Sequence, residues 1–203
     1  MKLLFLTAAM IALPMTASTA LAAPKIGAPA PAFTAMSAEG TPVSLSDYRG
    51  KTVVLEWTNK GCPYVKKHYE SSNMQELQAT AARDGTVWLT INSSAPGKQG
   101  HVDSAGAAAE MAHFDTIQEA YLLDHDGKVG RAYGASATPH MYVIDDEGML
   151  AYMGAIDDRP TSDPADIKGA QNYVASALGA LAAGETPSKA ATRAYGCSIK
   201  YAD

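Results

Sequence analysis

The stretch that decides the architecture is Thr52-Val53-Val54-Leu55-Glu56-Trp57-Thr58-Asn59-Lys60-Gly61-Cys62-Pro63-Tyr64-Val65. Apart from Glu56, its first seven residues are β-branched, aromatic or aliphatic, and such a run reads as a central strand buried on both faces. Cys62-Pro63 follows at once. Proline is favoured at the first position of a helix, because the N–H it lacks would have no intrahelical acceptor there. Cys62 is therefore predicted at or beside a helix N-cap, where the positive end of the macrodipole and free backbone N–H groups favour the thiolate. Lys60, Lys66 and Lys67 add positive charge nearby. A buried, inert cysteine is the alternative reading, since free cysteine is among the most buried residue types.

Working outward, Phe33 and Pro42 to Leu45 read as short strands around a Glu39-Gly40 turn. The helix that starts at Cys62-Pro63 is predicted to break near Ser71-Ser72 and restart from Asn73, with Glu76 as its capping-box partner. Thr86 to Ile91 is a second buried strand, Ser93 to Gly100 a polar loop, and Ser104 the cap of an alanine-rich helix through His113. Ala120 to Leu123 is strand-like, and Asp126-Gly127 makes a turn. Met141 to Ile144 and Met149 to Met153 form a hairpin around Asp146-Glu147-Gly148. Ile167, Ala170, Val174, Leu178 and Leu181 then recur at helical spacing, with Asp163-Pro164 as the start signal and Gly184 as the stop. A loose tail from Glu185 carries Cys197. This order implies an α/β fold, a mixed central sheet with helices on both faces.

The remaining numbers set bounds. A chain of 203 residues, 47% hydrophobic, supports one compact domain over residues 23–184 plus the tail 185–203. Residues 1–22 have the form of a signal peptide: a positive start at Lys2, an apolar run, and Ala20-Leu21-Ala22 before the cut. That run is too short for a membrane span of about 20 residues, and no later stretch is long and apolar enough. Export, to the periplasm, is therefore expected. The net charge of −5, with no basic run interleaved with aromatics, gives no sign of a nucleic-acid partner. Two cysteines are too few for a disulfide scaffold or a four-thiolate zinc site.

Three motifs carry a resemblance: Leu55-Glu56-Trp57-Thr58 leading into Gly61-Cys62-Pro63-Tyr64-Val65, then Gly127-Lys128-Val129 with Ala132-Tyr133-Gly134, then Thr138-Pro139 before a strand. Together with the tail Gly196-Cys197-Ser198-Ile199-Lys200 they resemble the thioredoxin superfamily, and within it the peroxiredoxin-like, redoxin-type proteins, from about Ile26 to Tyr201. The resemblance implies a thioredoxin-like fold and a cis Thr138-Pro139 bond facing Cys62. It also implies that the Thr138 backbone is free to bond an incoming peptide or mixed disulfide. Two positions depart from it. Val65 stands where thioredoxins have a second cysteine. Asn59, with Thr58 just before it, stands where peroxiredoxins have the hydroxyl that orients the peroxide. Arg131 is a candidate for the peroxiredoxin arginine, although an ordinary surface arginine is the simpler reading.

Cys197 could resolve an oxidised Cys62, bridge it permanently, or not meet it at all. The function implied is an exported thiol oxidoreductase with Cys62 as nucleophile and Thr58, Asn59, Thr138, Pro139 and Cys197 around it. Its partners would be a small peroxide or a protein or low-molecular-weight disulfide, and an external thiol reductant; no cofactor is implied. The competing class is a non-catalytic binding module for a client peptide or copper, with Cys62 as ligand or structural thiol. His140 and Met141 are the residues nearest in kind for Cu(I), although His140 reads more simply as a strand histidine. His68 is expected to point partly away from Cys62.

Overall fold

The computed structural model describes residues 23–202; the expected leader lies outside the described residues. The chain runs β1 (Thr34–Ser37), β2 (Pro42–Ser44), β3 (Val53–Trp57), α1 (Pro63–Glu70), α2 (Asn73–Arg83), β4 (Val87–Asn92), α3 (Ser104–Phe114) and β5 (Ala120–Leu123). It continues with α4 (Lys128–Tyr133), β6 (Ala137–Thr138), β7 (His140–Ile144), β8 (Leu150–Gly154), α5 (Tyr173–Ala182) and β9 (Cys197–Ser198). Seven strands form one sheet in the order β2-β1-β5-β4-β3-β7-β8, and β6 pairs with β9 separately. β3 lies parallel to β4 and antiparallel to β7, and every one of its residues is buried. It is the strand that the apolar run required.

Alternation along β3 sorts its side chains to two faces. Val53, Leu55 and Trp57 enter one core with Val129, Ala132 and Tyr133 of α4. Val54 enters the other with Val65 and Tyr69 of α1, Met74 and Leu77 of α2, and Val174 and Ala177 of α5. The sheet is mixed and helices cover both faces, as the element order implied. Among the described residues no helix is long and apolar enough to cross a membrane.

Four local expectations change. The restart of the helix has no capping box: Ser72 takes the cap position with φ 61° and makes no side-chain cap. Asn73 is the first helical residue, and its amide is turned to His68 Nδ1 at 2.9 Å. Asp103, not Ser104, caps α3, accepting from Gly106 N at 2.8 Å. The last periodic run is two elements rather than one. Asp163 caps only a single 3-10 turn, Pro164–Ile167, and α5 begins afresh under Asn172, whose side chain accepts from Ala175 N. Between them Gly169 has φ 81°, a left-handed conformation that ends helical continuity. The tail, finally, is docked. Ala190 and Thr192 bond Met153 on the β8 edge, Ile199 enters the core beside α4, and Tyr201 Oη donates to Ala135 O at 2.7 Å.

Candidate active site

Cys62 occupies the N-cap of α1 with Pro63 next, as the sequence required. Its backbone N–H bonds Asn59 O at 2.9 Å, and its side chain is fully buried. The Thr138-Pro139 bond is cis. Cys62 Sγ donates to Thr138 O at 3.1 Å, which places the thiol against this loop.

The edge expected to be free for an incoming chain is occupied by the protein's own tail. β9 runs antiparallel to β6 with Thr138 opposite Cys197 and Ala137 opposite Ser198. Gly196 makes this approach possible: its φ is 132°, and a Cβ there would run into the Thr138 carbonyl. Cys197 is thereby delivered to Cys62. Both are free thiols, Cys62 buried and Cys197 half-buried. Burial, together with the hydrogen bond and charge of Cys62, pushes the Cys197 thiol up to about 12. Cys197 therefore keeps its proton near neutrality.

The other sequence-derived residues are placed differently. Asn59 Oδ1 accepts from Gly61 N at 2.9 Å, and Asn59 Nδ2 donates to Gln99 Oε1 at 3.0 Å. Its amide braces the Lys60-Gly61 loop. Thr58 is buried with its backbone N–H on Ile91 O, and its hydroxyl is turned to the Glu110 carboxyl, whose pKa it lowers. Arg131 stacks on Tyr201 and donates to Ala202 O, so it serves the tail end rather than Cys62. His140 and Met141 are neighbours on β7 and so face opposite ways. Met141 joins the Cys62 core, whereas His140 packs on Tyr142 and accepts from Ser136 N. Burial lowers His140 to about 4. The set Cys62, His140 and Met141 does not converge.

Sequence reasoning assigned no role to two buried clusters. The first is Glu56, which accepts from Tyr69 Oη at 2.8 Å and Trp88 Nε1 at 2.9 Å. Burial raises its pKa to about 7, partly opposed by the Trp88 and Tyr69 hydrogen bonds. Glu110, bonded by Tyr121 Oη, is raised by burial to about 7 as well. The signal for the first was a lone acid inside an apolar strand. The second cluster joins Lys67, His68, Asp157 and Tyr195. His68 is buried, with Nε2 3.2 Å from Tyr195 Oη, and burial lowers its pKa to about 4. Lys67, read as a charge beside the thiol, is buried too, with Nζ 2.7 Å from Arg159 O and 3.6 Å from Asp157 Oδ2.

The profile described as the AhpC/TSA family matches residues 26–153. The thiol-disulfide oxidoreductase ResA of Geobacillus thermodenitrificans is 27% identical over 135 residues, 66% of this chain and 70% of that protein. Among solved structures, an uncharacterized conserved protein of Geobacillus kaustophilus superposes with a TM-score of 0.77 at 23% identity, covering 95% of this chain and 98% of its own. A hypothetical protein of Sinorhizobium meliloti 1021 gives a TM-score of 0.73 at 24% identity, covering 88% and 95%. At these identities the structural likenesses speak for the fold.

Proposed function

Because the chain belongs to the AhpC/TSA family, we propose that it is an exported thiol–disulfide oxidoreductase with Cys62 as nucleophile and Cys197 as resolving thiol. The observation that carries this reading is the β6–β9 pairing, which seats Cys197 on the same Thr138 segment that receives the Cys62 thiol. The Cys62 thiolate attacks one sulfur of a substrate disulfide, whose S–S bond breaks as a mixed disulfide forms and one thiolate departs with a proton from solvent. Cys197 then attacks Cys62 Sγ. The Cys62–Cys197 disulfide forms, and the second substrate thiol leaves with the Cys197 proton. An external dithiol returns two electrons and restores both thiols.

A disulfide suits this site better than a peroxide. The amide of Asn59, which stands where a peroxide-orienting hydroxyl would be, is engaged by Gly61 and Gln99. Arg131 is held at the tail end. Export rests on residues 1–22, and an oxidising compartment is where such a dithiol has substrates.

The test compares wild type with Cys197→Ser after one equivalent of oxidised glutathione, read by mass spectrometry. Wild type should end as the Cys62–Cys197 disulfide and the variant as a glutathione adduct on Cys62. Identical adducts in both proteins would remove Cys197 from the mechanism. No modification of Cys62 in either would favour the non-catalytic binding module. A parallel dose of hydrogen peroxide should react more slowly than the disulfide.

A further inference from the structure

A two-residue strand is a slender support for a thiol that must meet another thiol in bonding geometry. β9 is only Cys197–Ser198, paired to an equally short β6. Something besides the ladder has to hold Cys197 in register.

Two residues upstream, Tyr195 enters a buried polar cluster. Its hydroxyl donates to Asp157 Oδ1 at 2.5 Å and lies 3.2 Å from His68 Nε2. The amide of Asn73 points Nδ2 at His68 Nδ1 at 2.9 Å. An amide N–H can only donate, so Nδ1 is the acceptor and the neutral ring carries its proton on Nε2. The chain of donors is then directional: Asn73 to His68, His68 to Tyr195, Tyr195 to Asp157. Lys67 Nζ stands 3.6 Å from the other carboxylate oxygen, and Lys67 and Asp157 are both buried. The ring itself packs edge-on against Tyr64, two residues after Cys62, with centroids 5.9 Å apart. Tyr195 is therefore tied to α1, the helix that carries Cys62, by its hydroxyl and by its ring.

We infer that Tyr195, clasped by Asp157 and His68, is the positioning residue that sets Cys197 against Cys62 for the resolving step. This rests on the oxidoreductase reading above. The step it serves is the attack of Cys197 sulfur on Cys62 Sγ in the mixed disulfide. One S–S bond forms, the bond to the substrate sulfur breaks, and the departing thiolate takes the Cys197 proton. The clasp makes no contact with the substrate. It raises the effective concentration of one thiol at the other, by holding the residue before Gly196 in one place.

Tyr195→Phe removes the hydroxyl and keeps the ring. The experiment equilibrates reduced wild type and variant in glutathione redox buffers and quantifies the Cys62–Cys197 disulfide by mass spectrometry. The variant should show an effective concentration lower by about tenfold, the worth of one hydrogen bond to a charged acceptor. Its glutathione adduct on Cys62 should persist correspondingly longer. Tyr64→Phe, which keeps the ring contact with Tyr195 and removes a hydroxyl that is not part of the donor chain, should match wild type. A purely structural role would lower the unfolding temperature of Tyr195→Phe and leave the effective concentration unchanged; that result, or a shift below twofold, overturns the inference. Tyr195→Leu, which also removes the ring, supplies a second variant and should fall further. If wild type itself forms no Cys62–Cys197 disulfide in any buffer, the oxidoreductase reading fails, and the clasp is then excluded with it for a separate and visible reason.

Discussion

Glu56 sits in the middle of β3 with hydrogen-bond donors around it and no cation among them. Because burial holds its folded pKa near 7, above the ordinary carboxyl value of 4.5, the folded state binds the proton more tightly than the unfolded chain. The favourable state is therefore complete below about pH 4.5 and is lost as pH rises through about 7. The difference amounts to about 3 kcal/mol at full ionisation. Glu56→Gln removes this titration. Urea unfolding at pH 5 and pH 8 should show the variant gaining on wild type between the two, whatever the constant offset from the altered hydrogen bonds. A difference between variant and wild type that does not change with pH would mean that Glu56 is already ionised in the folded protein at pH 5. At Cys197 burial acts in the same direction: it holds a proton that the proposed resolving thiol must later surrender.

At the level of elements, the two starts of the last helical region separate cleanly. Asn172 caps a ten-residue helix, whereas Asp163 caps one exposed 3-10 turn. Asn172→Ala should therefore cost about 1 kcal/mol in urea unfolding, and Asp163→Ala only a few tenths. Equal costs would contradict the division of this segment. This contrast also shows what the sequence could carry. β3, the Cys62-Pro63 helix start and the β7–β8 hairpin were legible, because composition and turn chemistry act locally there. The periodicity of Ile167, Ala170 and Val174 was real, but Gly169 in a left-handed conformation overrode it. α4 escaped notice as a helix because it is only six residues between two glycine caps. The placement of Cys197 depends on a partner 59 positions earlier in the chain, Thr138, and no local signal at Tyr195 or Gly196 announces that pairing.

For the whole molecule, the segment after α5 acts as a strap over both layers. It lines the β8 edge through Ala190 and Thr192, closes over Cys62 through β9, and enters the opposite core through Ile199 and Tyr201. Deleting residues 185–203 should expose Cys62 and strip apolar contacts from the core beside α4. The thermal midpoint should fall by roughly 10 °C, from a loss of several kcal/mol in buried apolar area. Iodoacetamide should label Cys62 at least about tenfold faster in the shortened chain, since alkylation needs an accessible thiolate. Unchanged labelling would mean that the tail does not gate Cys62. The β6–β9 pairing also has a consequence in time. Cys197 follows Cys62 by 135 positions, which at about 5–20 residues per second is on the order of ten seconds of synthesis. β6 waits without its strand partner for the last 59 of those positions, and each nascent chain carries the proposed nucleophile before the thiol that can answer it exists.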